Sequence, residues 1–248
     1  MPGSQQHLIR KEKISPSFKI LETGGEEKEM RLSRADYGMF AQAVKKHPPS
    51  HGVRPIRAAT ELIGRNRGDN TFFYFAYGSN MLDKRIHLRN PTAEFHSPAV
   101  LKGYRLDFNL YVPAWRGAAA TIVKDPGSSV WGAVWVIEKS QMHRLDEQEG
   151  VHLRWYFPIN VTVTTPQGRD IIARTYKELV LLPKLNEGES LPPARRPSNT
   201  YLQVMILGAY EAGLPPQYIG YLHTFPTNGR IADSHIRNRL GYPFNVSL

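Results

Sequence analysis

The sequence predicts an α+β domain built on a largely antiparallel, strongly curved sheet. Between residues 71 and 228 strand-like segments outnumber helical ones. Two pairs of them read as hairpins around turn residues, "AAATIV-KDPGSS-VWGAVWVI" and "YFPINVTVT-TPQGRD-IIARTYKEL". The chain of 248 residues is 41% hydrophobic, enough for one substantial core.

The first strand, Phe72–Tyr77, is apolar on both faces and therefore central. Asn80 is placed to cap a helix over Met81–Leu88, where Leu82 and Ile86 stack at i, i+4 and Asn90-Pro91 ends the run. "AVLKGYRLDFNLYV" continues as strand, followed by the first hairpin with Asp125-Pro126-Gly127 at its turn. A short helix over Gln141–Gln148 precedes Gly150 and the second hairpin. "LLPKLNEGESLPPARRPSN" is a long Pro-rich loop. Asn199 then caps an apolar helix, Thr200–Ala212, and a last helix lies near Gln217–His223. This divides the chain into a domain at 71–228, an N-terminal extension at 1–70 and a C-terminal tail at 229–248.

Residues 1–70 mix charge with Pro, Gly and Ser and read as a basic, largely disordered extension. One stretch, Ser33–Lys46, has helical spacing at Tyr37, Phe40 and Val44. The net charge of +10 is spread evenly: 13 Lys/Arg against 8 Asp/Glu in the first 70 residues, 19 against 14 in the rest. No dense basic block interleaves with aromatics, so a nucleic-acid partner is not expected. The lack of cysteine excludes thiolate nucleophiles, disulfides and Cys-based metal sites. The nine histidines lack H-E-x-x-H spacing, and no apolar run is long enough to span a membrane. A cytoplasmic protein without metal or cofactor is the expectation.

Two stretches carry candidate chemistry. "YGSN" at 77–80 ends a strand on small residues before a helix, leaving helix-start N–H groups unpaired near one spot. Such a junction is either an ordinary glycine turn with an N-cap or a cradle for a carboxylate or developing oxyanion. "LDEQEG" at 145–150 is either a solvated acidic face or an acid/base element. At about 100° per residue from Met142, Glu149 falls near 340°, within the apolar stripe, Asp146 near 40° and Glu147 near 140°. A carboxylate on the buried face is desolvated and its pKa rises, as a general acid/base near neutrality requires. Glu149 is therefore the candidate, Asp146 the second choice and Glu147 the outward-facing comparison.

"YFAYGSNMLDKRIHLRNP", "WRGAAATI", "PGSSVWGAVW" and "LDEQEGV", in this order, resemble the gamma-glutamylcyclotransferase family over about residues 71–228. The resemblance implies a small mixed, mostly antiparallel β-barrel with flanking helices. It implies release of 5-oxoproline from gamma-glutamyl amino acids without a cofactor, in an enzyme that forms a homodimer. The family's binding loop matches Tyr74, Phe75, Ala76, Tyr77, Gly78 and Ser79, its acid/base carboxylate matches Glu149, and its active-site tyrosines match Tyr156 and Tyr201. The leader has no counterpart in the family pattern, the Leu181–Pro197 loop is longer, and the "NLYVPAW" connection is shorter. These departures bear on which acceptor group is preferred. A sister cyclotransferase acting on gamma-glutamyl amines or glutathione, and a gamma-glutamyl-binding protein without turnover, are the other readings.

Overall fold

The computed structural model describes residues 17–21, 27–31, 70–179, 182–186 and 188–245. Strands β1 (Ser17–Leu21) and β2 (Glu27–Arg31) pair antiparallel within the N-terminal extension. The stretch with helical spacing, Ser33–Lys46, lies outside the described residues.

The domain is a closed barrel of β3 (Thr71–Ala76), β4 (Glu94–Val112), β5 (Gly117–Glu138), β6 (Tyr156–Thr164) and β7 (Asp170–Glu178), in the order β3-β5-β4-β6-β7. Every pairing is antiparallel except β3 with β7, the parallel contact that closes the barrel. This is the mixed, mostly antiparallel barrel with flanking helices that the resemblance implied. Closure leaves no exposed edge to be protected. Between β5 and β7, β3 is central as expected.

One hairpin is not a hairpin. Both halves of "AAATIV-KDPGSS-VWGAVWVI" belong to the single strand β5 and pair with β4 rather than with each other. Tyr104 faces Lys124 and Lys102 faces Ser129, so two residues advance on β4 while five advance on β5. Asp125-Pro126-Gly127 is a large bulge, tied by the Asp125 carboxylate to Ser128 Oγ (2.8 Å) and Lys184 Nζ (2.8 Å). Turn chemistry marked the break, but the better partner was already present in β4. The second hairpin, β6–β7, forms in register as expected.

Helices α1 (Asp83–His87), α2 (Met142–Gln148), α3 (Asn199–Glu211), α4 (Pro216–His223) and α5 (Ser234–Leu240) flank the barrel. Two expected caps move. Asn80 sits in a 3-10 turn, Ser79–Met81, and α1 begins only after Leu82. Ser198, not Asn199, caps α3, its Oγ accepting from the Tyr201 N–H at 3.2 Å. The expected tail from residue 229 is packed as well. Ala232, Leu240 and Phe244 are buried, and the Ala232 and Asp233 N–H groups bond Thr200 Oγ1 (3.0 Å) and the Ala114 carbonyl (2.9 Å).

The core joins barrel side chains such as Phe75, Phe108 and Trp135 to the apolar surface of α3, including Val204, Met205 and Ala209. Helix α3 also lies directly under the loop after β3: a Cβ on Gly208 would sit 2.4 Å from the Leu82 nitrogen. Gly208→Ala should therefore cost about 1–3 kcal/mol in denaturant unfolding, as overpacking does. Gly220→Ala on α4, where a Cβ meets nothing within 4 Å, should be neutral or gain about 0.5–1 kcal/mol from helix propensity. Equal behaviour of the two variants would refute the contact between α3 and the loop.

Candidate active site

Where β3 ends, the chain leaves the barrel at Tyr77-Gly78 and enters the Ser79–Met81 turn. Gly78 has φ −112°, so glycine is not needed there for a left-handed conformation. Space is the reason: a Cβ would lie 3.1 Å from the Tyr201 hydroxyl and 3.5 Å from Ala120 Cβ.

Asn80 binds the loop to the rest of the site. Its Nδ2 donates to Glu149 Oε1 (2.8 Å) and to the Tyr74 hydroxyl (3.0 Å). Its Oδ1 accepts from Gln148 Nε2 (2.8 Å), and its carbonyl accepts from Trp135 Nε1 (3.1 Å).

Glu149 is the first residue past α2, its N–H still bonded to the Leu145 carbonyl at 3.0 Å. Gly150, at φ +66°, then stops the helix in a conformation glycine favours. Leu145 is buried, Glu147 is exposed and Glu149 faces the cavity, as the helix phase predicted. Part of Glu149 opens to the cavity, yet burial of its carboxyl pushes the pKa up to about 7, against the opposing pull of Arg85 and of hydrogen bonds from Asn80, Gln148 and Tyr74. Asp146 has a different task, accepting from Arg174 (2.7 Å) and from the Tyr176 hydroxyl.

The two predicted tyrosines meet at one residue, Ala120. Tyr156 donates its hydroxyl proton to the Ala120 carbonyl (2.8 Å), while the Tyr201 hydroxyl accepts from the Ala120 N–H (3.0 Å). Burial holds the hydroxyls of Tyr74, Tyr77 and Tyr156 well above their usual range and pushes Tyr201 up to about 12. All four stay neutral near pH 7.

These groups surround a cavity of about 90 Å³, sized for a small ligand. Tyr74, Tyr77, Gly78, Ser79, Glu149, Tyr156 and Tyr201 line it together. Phe75 and Ala76 do not: both are buried in the core, and Phe75 contributes a carbonyl that accepts from Thr175 Oγ1 (2.8 Å). Sequence reasoning missed Arg85, Trp115, Gln148, Trp155 and Tyr176, and took Asn80 for a cap. Arg85 was findable. On the expected Met81–Leu88 helix it falls about 300° from Leu82, between Leu82 and Met81 on the apolar face. Among the described residues no three His, Asp or Glu side chains gather as a metal site.

A carboxyl with a folded pKa of about 7 against an ordinary 4.5 makes stability depend on pH in an inverted sense. Below about pH 4.5 both states hold the proton and nothing is lost. As pH rises toward 7 the unfolded chain ionises first and stability falls. Above 7 the full cost is present, on the order of 3 kcal/mol. Glu149→Gln does not titrate, so its stability relative to the parent should improve by about 1–3 kcal/mol between pH 4.5 and 8.5. Urea unfolding at several pH values measures this, and a pH-independent difference would show that the carboxyl is not desolvated.

Residues 129–222 match the model of the AIG2-like family. The chain is 43% identical over 168 residues to the gamma-glutamylcyclotransferase of Bos taurus, covering 66% of this chain and 84% of that protein. It is 42% identical over 170 residues to the gamma-glutamylcyclotransferase of Mus musculus, covering 66% and 85%. A solved structure of a gamma-glutamyl cyclotransferase superposes with a TM-score of 0.61 at 37% identity, covering 68% of this chain and 98% of that one. With that identity sustained over most of the mammalian proteins' length, on the same barrel, this chain belongs to the gamma-glutamylcyclotransferase family.

Proposed function

We infer that this chain is a gamma-glutamylcyclotransferase that converts gamma-glutamyl amino acids to 5-oxoproline and the free amino acid, with Glu149 as general acid/base. The observation that carries the reading is the Glu149 carboxyl, held in the cavity wall with a pKa of about 7. A group poised there takes and returns a proton near neutrality.

The substrate supplies its own nucleophile. Glu149 as carboxylate takes a proton from the substrate's α-ammonium, and the freed amine attacks the γ-carbonyl carbon. The carbonyl π pair moves onto oxygen, giving a tetrahedral oxyanion. Glu149 then delivers its proton to the amide nitrogen and the C–N bond breaks as the oxyanion collapses. The restored carboxylate takes the surplus proton from the ring nitrogen and passes it to the departing amine, so that neutral lactam and an ammonium leave. Holding the flexible glutamyl chain folded is the main task of the walls. The neutral tyrosines Tyr74, Tyr77, Tyr156 and Tyr201 and the loop at Gly78-Ser79 do this, and Phe75 and Ala76 anchor that loop to the barrel. The N–H groups around Gly78-Ser79 stabilise the oxyanion. No residue of the cavity wall pairs a nucleophile with a histidine or lysine base, consistent with attack by the substrate amine. A cytoplasmic setting and a homodimeric assembly belong to the same reading.

Release of 5-oxoproline from a panel of gamma-glutamyl amino acids, gamma-glutamyl amines and glutathione tests the assignment. Turnover should be greatest with gamma-glutamyl amino acids and should rise with pH through about 7. Glu149→Gln should lose about 10²–10⁴ in rate while still binding ligand, and Glu147→Gln should match the parent. Ser79→Ala should cost only about five-fold, the worth of one hydrogen bond. A dead Ser79→Ala with a covalent adduct in mass spectrometry would replace amine attack with an acyl-enzyme.

A further inference from the structure

Among the described residues Arg85 is the one arginine that lines the cavity, and it forms no ion pair there. Arg105 and Arg195 pair with Asp107, and Arg174 pairs with Asp146. Arg85 lines the cavity with its guanidinium carbon 5.8 Å from the centre of the Trp115 ring. Its Nε is buried without a hydrogen-bond partner among the described residues. Leaving such a donor unmatched is costly unless something else completes it. Glu149 is the strongest charge acting on it, yet Glu149 accepts its hydrogen bond from Asn80 and must itself change protonation state during turnover.

We propose that Arg85 is the recognition residue for the α-carboxylate of the substrate's glutamyl group. The proposal rests on the cyclotransferase reading above. In any gamma-glutamyl compound the α-carboxylate and the attacking amine share one carbon. A base that reaches the amine therefore has the carboxylate about one bond farther on. A cation on which that base exerts the strongest charge, lining the same cavity, stands where the carboxylate falls. The guanidinium fork matches a carboxylate in two parallel hydrogen bonds, and Trp115 on one face keeps its plane fixed. With the carboxylate held by Arg85, the loop at Gly78-Ser79 is left for the oxyanion, which separates the two anions of the reaction onto different parts of the site.

The short connection between β4 and β5 has its use here. Pro113–Trp115 forms a single 3-10 turn, closed by Arg116 in the left-handed region. That turn carries Trp115, 5% exposed, against both the Tyr201 ring (4.9 Å between centroids) and Arg85. The substrate's fixed end is thus held by α1 and the β4–β5 turn together.

Calorimetric binding of 5-oxoproline and of 2-pyrrolidinone, the same ring without the carboxylate, to the full chain and to Arg85→Met tests the assignment. Met keeps an unbranched stem of the same first carbons but removes the guanidinium and its charge. Among the described residues the buried Nε has no protein hydrogen bond to lose, so thermal stability should hold. The variant should lose about 10- to 100-fold in affinity for 5-oxoproline and none for 2-pyrrolidinone. Arg85→Lys, with charge but no fork, should fall between. Equal loss for both ligands, or for neither, would overturn the proposal. So would a variant that binds 5-oxoproline normally but loses turnover only with acceptors bearing a carboxylate, because Arg85 would then read the leaving group. Carboxylate-dependent binding in a parent protein that releases no 5-oxoproline from any substrate would leave Arg85 standing and remove the catalytic reading.

Discussion

The site hangs on the side chain of Asn80. A carboxamide has two donors and an acceptor with two lone pairs, and Asn80 spends both donors and its acceptor within 3.0 Å on three partners from two different elements. Its backbone carbonyl, bonded to Trp135, fastens the same residue to β5. The loop after β3 and the end of α2 are thereby locked to one another and to the barrel wall. An ionised carboxyl can sit in that wall only because this donor faces it. Burial alone would drive Glu149 further from its ordinary range than it goes, and the charge of Arg85 together with the Asn80 bond holds it near 7. The position of the base and its acidity are set by the same contacts.

That arrangement trades stability for chemistry. Elsewhere two buried carboxylates are each given several donors. Asp107 takes two arginines and the Phe108 N–H, and Glu178 accepts from Asn109 Nδ2 and the Leu110 N–H. In the cavity, by contrast, Glu149 and Arg85 are near one another without forming an ion pair, each desolvated and each incompletely matched. A tight salt bridge between them would lower the acid's pKa and occupy the guanidinium, removing both functions at once. Incomplete pairing is the condition for a proton carrier and an anion receptor to share one small space.

How much of this was legible follows from which interactions are local. The phase of α2 was readable because a helix converts spacing directly into direction, so Leu145 inward, Glu147 outward and Glu149 at the cavity follow from sequence. The β6–β7 hairpin was readable because its turn and its pairing partner are adjacent. The β5 bulge was not, since "KDPGSS" is turn chemistry in either setting and only the prior presence of β4 decides the pairing. Asn80 was misread for a related reason: Asn is as good a cap as a side-chain bridge, and its partners at Tyr74 and Glu149 are 6 and 69 residues away in sequence. The packing of residues 229–245 depends on Thr200 and Ala114, contacts that no local pattern announces. Arg85 was legible in principle. The angular argument that selected an inward carboxylate selects an inward guanidinium too.

The tyrosines explain why the barrel is built with small residues where it meets the cavity. Ala118, Ala119 and Ala120 are all buried in β5, and Ala120 is bonded at its carbonyl by Tyr156 and at its N–H by Tyr201. Two aromatic rings can reach both backbone groups of one residue only where the neighbouring side chains are small. The opposing roles also fix which way each hydroxyl points. Tyr156 must donate, so its lone pairs remain for other donors, whereas Tyr201 accepts and keeps its proton to give. Because burial keeps both hydroxyls neutral near pH 7, this polarity does not change as Glu149 gains and loses its proton. The cavity therefore combines one group that titrates near neutrality with two tyrosines whose hydrogen bonds run to the barrel backbone, so that a proton shifted by Glu149 leaves the bonds of Tyr156 and Tyr201 to Ala120 unaltered.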